Sequence, residues 1–162
     1  MSEVQKIGII GTGAMGQGIA QIAAQAGYTV KLFDTRAEAI EKAKEQLGAI
    51  WARQVERGRM THEAVEAAKA NIQACAELQD MADADVIVEA IVENLGVKQA
   101  LFKQLEEIVS QQCILATNTS SLSVTAIAQG CVHPERVVGF HFFNPVPLMK
   151  VVEVIEGLRT DK

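Results

Sequence analysis

The stretch that most constrains this 162-residue chain runs from Ile7 to Asp34. It reads Ile-Gly-Ile-Ile, then Gly11-Thr-Gly13-Ala14-Met15-Gly16, then a segment with Ile19, Ile22, Ala23 and Ala26 at helical spacing, then Gly27 and Thr29-Val-Lys-Leu-Phe-Asp34. A short apolar run bounded by glycine, Lys6 to Ile10, is the pattern of a strand buried on both faces of a parallel sheet. The helical periodicity predicts a helix that stops at Gly27, and Val30 to Phe33 predicts a second strand. A helix between two such strands implies a right-handed crossover. In this setting Gly11 permits the tight turn, Gly13 lets a pyrophosphate approach the backbone, and Gly16 lets the helix lie close to the sheet. The bare N–H groups and the positive end of the helix dipole then suit the phosphates of a dinucleotide. Asp34 lies 23 residues after Gly11, where a carboxylate accepts both ribose hydroxyls and repels a 2′-phosphate. NAD is therefore expected over NADP, with Arg36 the one nearby residue able to accommodate the extra phosphate.

Composition narrows the class. A hydrophobic content of 49% over this length supports one domain with a proper core. A net charge of -5 without a basic cluster argues against nucleic acid as a partner. Cys75, Cys113 and Cys131 are odd in number and lack metal-type spacing, the pattern of reduced thiols in a cytoplasmic protein with no metal centre. Residues 7 to 30 carry no charge, but six glycines and three glutamines there contradict a membrane or signal segment.

Residues 37 to 70 exceed what a minimal nucleotide-binding fold needs. Ile40, Ala43, Leu47, Ile50 and Trp51 form one stripe of a helix ending near Gly58, and Thr61 can cap a second helix reaching about Ala70. This helix-turn-helix insertion carries Arg53, Arg57 and Arg59 at its turn, either as a solvated face or as a clamp for substrate phosphates. Ile72 to Cys75 and Val86 to Val88 are expected strands. Asn94 caps a helix with Val97, Leu101, Leu105, Ile108 and Val109 as its apolar positions. Cys113 to Thr117 is a further strand, and Ser123 caps a short helix before Val137 to Phe140. The strand–helix alternation predicts an α/β architecture of Rossmann type, a doubly wound and mostly parallel sheet.

His141 follows the strand Val137 to Phe140, and Asn144-Pro-Val-Pro147 forces a reversal before the apolar run from Val151 to Ile155. A reversal near residue 147 sets positions 141 and 153 opposite each other. Glu153 is the lone charge in that run. It faces water on an edge strand, or it pairs with His141 and holds the ring in one tautomer, an arrangement suited to a general base near neutral pH.

With these residues in view, the chain resembles the NAD-binding domain of the L-3-hydroxyacyl-CoA dehydrogenases along essentially its whole length. The resemblance is carried by Gly-Thr-Gly-Ala-Met-Gly16, Glu89-Ala-Ile-Val-Glu93-Asn, Ala116-Thr-Asn-Thr-Ser-Ser-Leu122 and Gly139-Phe-His-Phe-Phe-Asn-Pro-Val-Pro147. It implies NAD as cofactor and an acyl-CoA as substrate, with His141 as the catalytic base and Glu153 orienting it. Ser120 and Asn144 would bond the substrate near the reacting carbon. Asn118 would lie beside the nicotinamide, and Glu93 and Lys98 would contact its ribose. It further implies a helical C-terminal domain, absent here, that closes the acyl pocket and forms a homodimer. The closing residues Gly157 to Lys162 are expected to mark a domain boundary, so this stretch alone should bind cofactor but turn over poorly. Competing readings are a related β-hydroxyacid or sugar-acid dehydrogenase, a crystallin-like relative, or a non-catalytic dinucleotide-binding module.

Overall fold

Side chains along the central strands alternate between two cores, and this alternation defines the layers. Ile9, Val86, Val88, Ala116 and Val138 join the core on one side of the sheet, whereas Ile10, Ile87, Leu115 and Val137 join the core on the other. Strands that bury both faces need helices on both faces. The computed structural model, which describes residues 3–143, 145–149 and 152–161, has that organisation.

The chain runs β1 (Lys6–Ile10), α1 (Ala14–Gln25), β2 (Thr29–Phe33), α2 (Ala37–Glu56), α3 (His62–Ala70), β3 (Ile72–Ala74) and β4 (Val86–Glu89). It continues through α4 (Leu95–Ile108), β5 (Ile114–Thr117), α5 (Val124–Ala128), β6 (Val137–Phe142) and β7 (Val152–Glu156). The seven strands form one sheet in the order β3-β2-β1-β4-β5-β6-β7. All neighbours are parallel except β6 and β7. The expected doubly wound sheet is therefore present. Its strand order reverses between β1 and β4, the switch point where ligands of such sheets bind beyond the strand carboxyl ends.

The helical pair expected over residues 37 to 70 is α2 and α3, which share the α1 core through Ile40, Ala43, Leu47, Trp51, Val65 and Ala68. Trp51 fixes the docking by donating from Nε1 to Gln25 Oε1 at 2.9 Å. Thr61 caps α3 by accepting from Ala64 N, and Asn94 caps α4 by accepting from Val97 N, both at 3.1 Å.

Two expectations need correction. Of the apolar positions expected in α4, Leu105 and Val109 are buried and Leu101 and Ile108 pack on the core, whereas Val97 is 47% exposed and Lys98 and Phe102 are buried in addition. Lys98 turns inward to a buried carboxylate at the end of β4. His141 lies inside β6 rather than after it, because pairing with β7 continues to Phe142 opposite Val152. The final strand is Val152–Glu156, while Val151, its expected start, lies outside the described residues.

Candidate active site

The glycine turn leaves β1 and enters α1 with its backbone uncovered. Gly11 has φ of 111°, and a Cβ on it would stand 2.5 Å from Ala90 O. A Cβ on Gly16 would fall 2.0 Å from Gly11 O, so α1 can rest on the turn only as glycine. Gly13, the N-cap of α1, makes no side-chain cap, and nothing lies within 4 Å of where its Cβ would be. No acidic residue occupies the first turn of α1, and Ala14 there is exposed. Unfilled N–H groups at an open helix N-terminus fit the diphosphate of a dinucleotide.

Asp34 stands at the end of β2 beside this turn. Its Oδ2 accepts from Thr12 N at 3.1 Å and Thr12 Oγ1 at 2.7 Å, and its Oδ1 accepts from Arg36 N at 3.1 Å. Partial burial disfavours its charge. The bonds from the Thr12 hydroxyl and from the Arg36 and Thr12 amides outweigh that and hold the carboxyl below its ordinary value. A fixed, charged carboxylate in this place suits ribose hydroxyls. Arg36 is exposed. Thr12 was invisible as a functional residue in the sequence, being an unmarked position inside the glycine motif.

Beyond the ends of β1, β4, β5 and β6 lies a cleft of about 340 Å³ that brings together Met15, Glu93, Asn118, Ser120 and His141, with Phe143 at its wall. Larger cavities of about 410 and 680 Å³ lie along α5 and at the far end of β6, away from the glycine turn and His141. Asn118 pins the cleft by accepting from Phe142 N on Oδ1 at 3.2 Å, which ties the end of β5 to β6. Ser120 is exposed at the rim. Asn144, the remaining expected contact, lies outside the described residues.

His141 and Glu153 are direct cross-strand partners in the β6–β7 ladder. His141 Nδ1 lies 3.6 Å from Glu153 Oε2, longer than a hydrogen bond and within ion-pair distance of a protonated ring. The His141 side chain is 25% exposed and Glu153 54%. The ring packs on Phe143 with centroids 4.7 Å apart.

Glu93 and Lys98 occupy different depths. Glu93 Oε2 accepts from Thr119 Oγ1 at 2.8 Å and Ser121 Oγ at 2.9 Å, and its Oε1 lies 3.1 Å from Lys98 Nζ. Desolvation works against its charge. The Thr119 hydroxyl, Lys98 and the Ser121 hydroxyl prevail and lower the carboxyl from its ordinary value. Lys98 has no exposed side-chain surface, so its ammonium reaches the cleft only through what it holds.

The insertion arginines 53, 57 and 59 are exposed and do not line this cleft. Cys75 and Cys113 are buried and Cys131 half-buried, and all three are free. Burial pushes the thiols of Cys113 and Cys131 up to about 11, which opposes a nucleophilic role. No helix among the described residues is long and apolar enough to cross a membrane.

Comparison with known proteins bears on this geometry. Residues 6–162 match the family described as 3-hydroxyacyl-CoA dehydrogenase, NAD binding domain. The chain is 46% identical over 160 residues to a 3-hydroxyadipyl-CoA dehydrogenase of Escherichia coli (strain K12), covering 99% of this chain and 34% of that protein. It is 44% identical to a probable 3-hydroxybutyryl-CoA dehydrogenase of Bacillus subtilis (strain 168), covering 99% and 56%. A crystal structure of 3-hydroxybutyryl-CoA dehydrogenase from Escherichia coli superposes with a TM-score of 0.96 at 46% identity, over 98% of this chain and 34% of that one. The chain thus spans between a third and somewhat over half the length of these relatives. With the family matched across the glycine turn, the cleft and the β6–β7 pair, this chain belongs to the NAD-binding domain family of the 3-hydroxyacyl-CoA dehydrogenases.

Proposed function

We propose that this chain supplies the cofactor site and the acid–base pair of an enzyme that oxidises an L-3-hydroxyacyl-CoA to the 3-oxoacyl-CoA. The observation that carries this reading is the cross-strand placement of Glu153 opposite His141, whose ring lines the same cleft as Met15 of the glycine turn. A dinucleotide-binding module without chemistry needs only the turn and Asp34. NAD, when bound, accepts the hydride released from C3 of the substrate. The Gly11–Gly16 turn with Ala14 and Met15 would hold its diphosphate, and Asp34 its adenosine ribose. Glu93, Asn118 and, through Glu93, Lys98 would hold its reactive half.

His141 takes the proton of the 3-hydroxyl, and Glu153 favours the imidazolium that results. In the reverse direction the protonated ring returns that proton. Ser120 and, by resemblance, Asn144 orient the substrate oxygen and stabilise the charge that develops on it. The same reading assigns the enzyme to the cytoplasm, and to a homodimer built through a helical domain outside this stretch.

The test is turnover of acetoacetyl-CoA with NADH by the protein that carries this chain. His141→Ala is expected to lower turnover by roughly 10²–10⁴-fold, the usual contribution of a general acid–base group. Turnover close to the unsubstituted rate would overturn the assignment.

A further inference from the structure

We propose that Glu89 is a positioning residue for the cofactor cleft, holding Glu93 and the Ala90–Ile91 turn in place through Lys98 and a backbone amide. The inference rests on the reading of the cleft as the cofactor site. Glu89 is the last residue of β4, in the middle of the sheet and beside the switch point, and it is fully buried. Its carboxylate is saturated. Lys98 Nζ donates to Oε1 at 3.0 Å and to Oε2 at 2.8 Å, Thr117 Oγ1 donates to Oε1 at 2.5 Å, and Ile91 N donates to Oε2 at 2.8 Å. A carboxylate offers about four such sites, so none is left to bind a ligand.

Two consequences reach the cleft from this buried group. Lys98, also fully buried, extends the network outward to Glu93 Oε1 at 3.1 Å and to Asn118 O at 3.4 Å. It thereby holds the carboxylate that is 37% exposed at the cleft wall. The bond to Ile91 N fixes the turn whose Ala90 carbonyl abuts Gly11, so the glycine turn rests on backbone that Glu89 has set. Removing the charge of Glu89 leaves Lys98 a buried cation with Glu93 as its one carboxylate, which draws Glu93 inward and away from the cleft.

A buried ion pair of this kind is weak evidence for stability, since a neutral pair of similar volume often serves as well. The positioning role is therefore separable from the packing role. The experiment compares E89Q, K98M and E89Q/K98M with the unsubstituted protein that carries this chain, measuring urea unfolding midpoint and NADH affinity by fluorescence titration. E89Q should weaken NADH binding by about tenfold, the scale of one charge-assisted bond. K98M should weaken it as well, because Glu93 is then unheld, and adding E89Q to K98M should cost no further affinity, because Glu89 acts on Glu93 through Lys98. The K98M and E89Q/K98M pair carries the comparison if E89Q alone does not fold. NADH affinity unchanged in E89Q, or a further loss of about tenfold on adding E89Q to K98M, would overturn the positioning role and leave the cofactor reading intact. Failure of the unsubstituted protein to bind NADH would overturn that reading and this inference with it.

Discussion

Asp34 owes its reach to neighbours that are chemically unassuming. Thr12 and the Arg36 amide spend three hydrogen bonds on one carboxylate, and these bonds, not an opposite charge, dominate the forces that keep it ionised. Under the proposed role, replacing it with a short neutral residue would remove both the ribose acceptor and the repulsion of a 2′-phosphate, while Arg36 stays nearby. Asp34→Ser is expected to weaken NADH binding and to reduce the preference for NADH over NADPH by about tenfold or more, the equivalent of one hydrogen bond to a charged group. Parallel titrations with the two reduced cofactors measure it, and an unchanged ratio would refute it. At this scale the sequence was most legible where the residue type is itself the signal, as with the glycines, Asp34 and His141. It was mute for Thr12 and for the hydroxyls of Thr117, Thr119 and Ser121, whose role is to complete someone else's hydrogen bonds.

Among the elements, α1 and the β6–β7 connection are coupled by a close approach. Val146 is buried in the core on the α1 side, and a Cβ on Gly18 would stand 2.7 Å from Val146 Cβ. The connection carrying Val146 follows His141 and precedes Glu153, so what seats Val146 on α1 also bears on the ladder in which these two residues face each other. Gly18→Ala should lift this connection and lower turnover on the order of 10- to 100-fold, as expected for a displacement near 1 Å at reacting groups. NADH affinity should change far less, because Gly18 lies beyond the turn proposed to take the phosphates. Steady-state kinetics and NADH titration on one preparation separate the two effects, and equal turnover in both proteins would refute the coupling. Helix α4 teaches the complementary lesson. Its periodicity predicted an apolar face, and in its first turn a lysine rather than Val97 is buried, because a carboxylate at the end of β4 meets it there.

At the scale of the whole molecule the sheet is polar in function. Gly11, Asp34, Glu89, Asn118 and His141 all stand at or just past the carboxyl ends of their strands. The opposite edge carries an ion-pair cluster in which Lys6 of β1 and Lys31 of β2 converge on Asp83, the former at 2.6 Å. The hydrogen bonds from Lys31 and then Lys6 push the Asp83 carboxyl down to about 2 from 3.8. A carboxyl whose folded value is depressed adds stability that is fully present above its ordinary value and is lost as pH falls through the folded one. The unfolding midpoint in urea should therefore drop between about pH 4 and pH 2, and Asp83→Asn should flatten part of that drop. Asp83 is half exposed, so screening keeps the contribution modest, and added salt should reduce it further. Identical acid profiles for the two proteins would refute the assignment.

The sequence by itself determined the βαβ unit around the glycine turn, the alternation of elements, the two capped helices after β2 and β4 and the placing of position 141 opposite position 153. Each of these is written in local spacing or in a turn that leaves a short chain one way to fold. The tertiary structure alone decided the bonds that set Asp34, the seat of Val146 on Gly18 and the depth of Lys98 beneath Glu93. These depend on groups brought together from β4, β5, α1 and α4, and a buried charge takes its place from the partner it meets across the fold rather than from its neighbours along the chain.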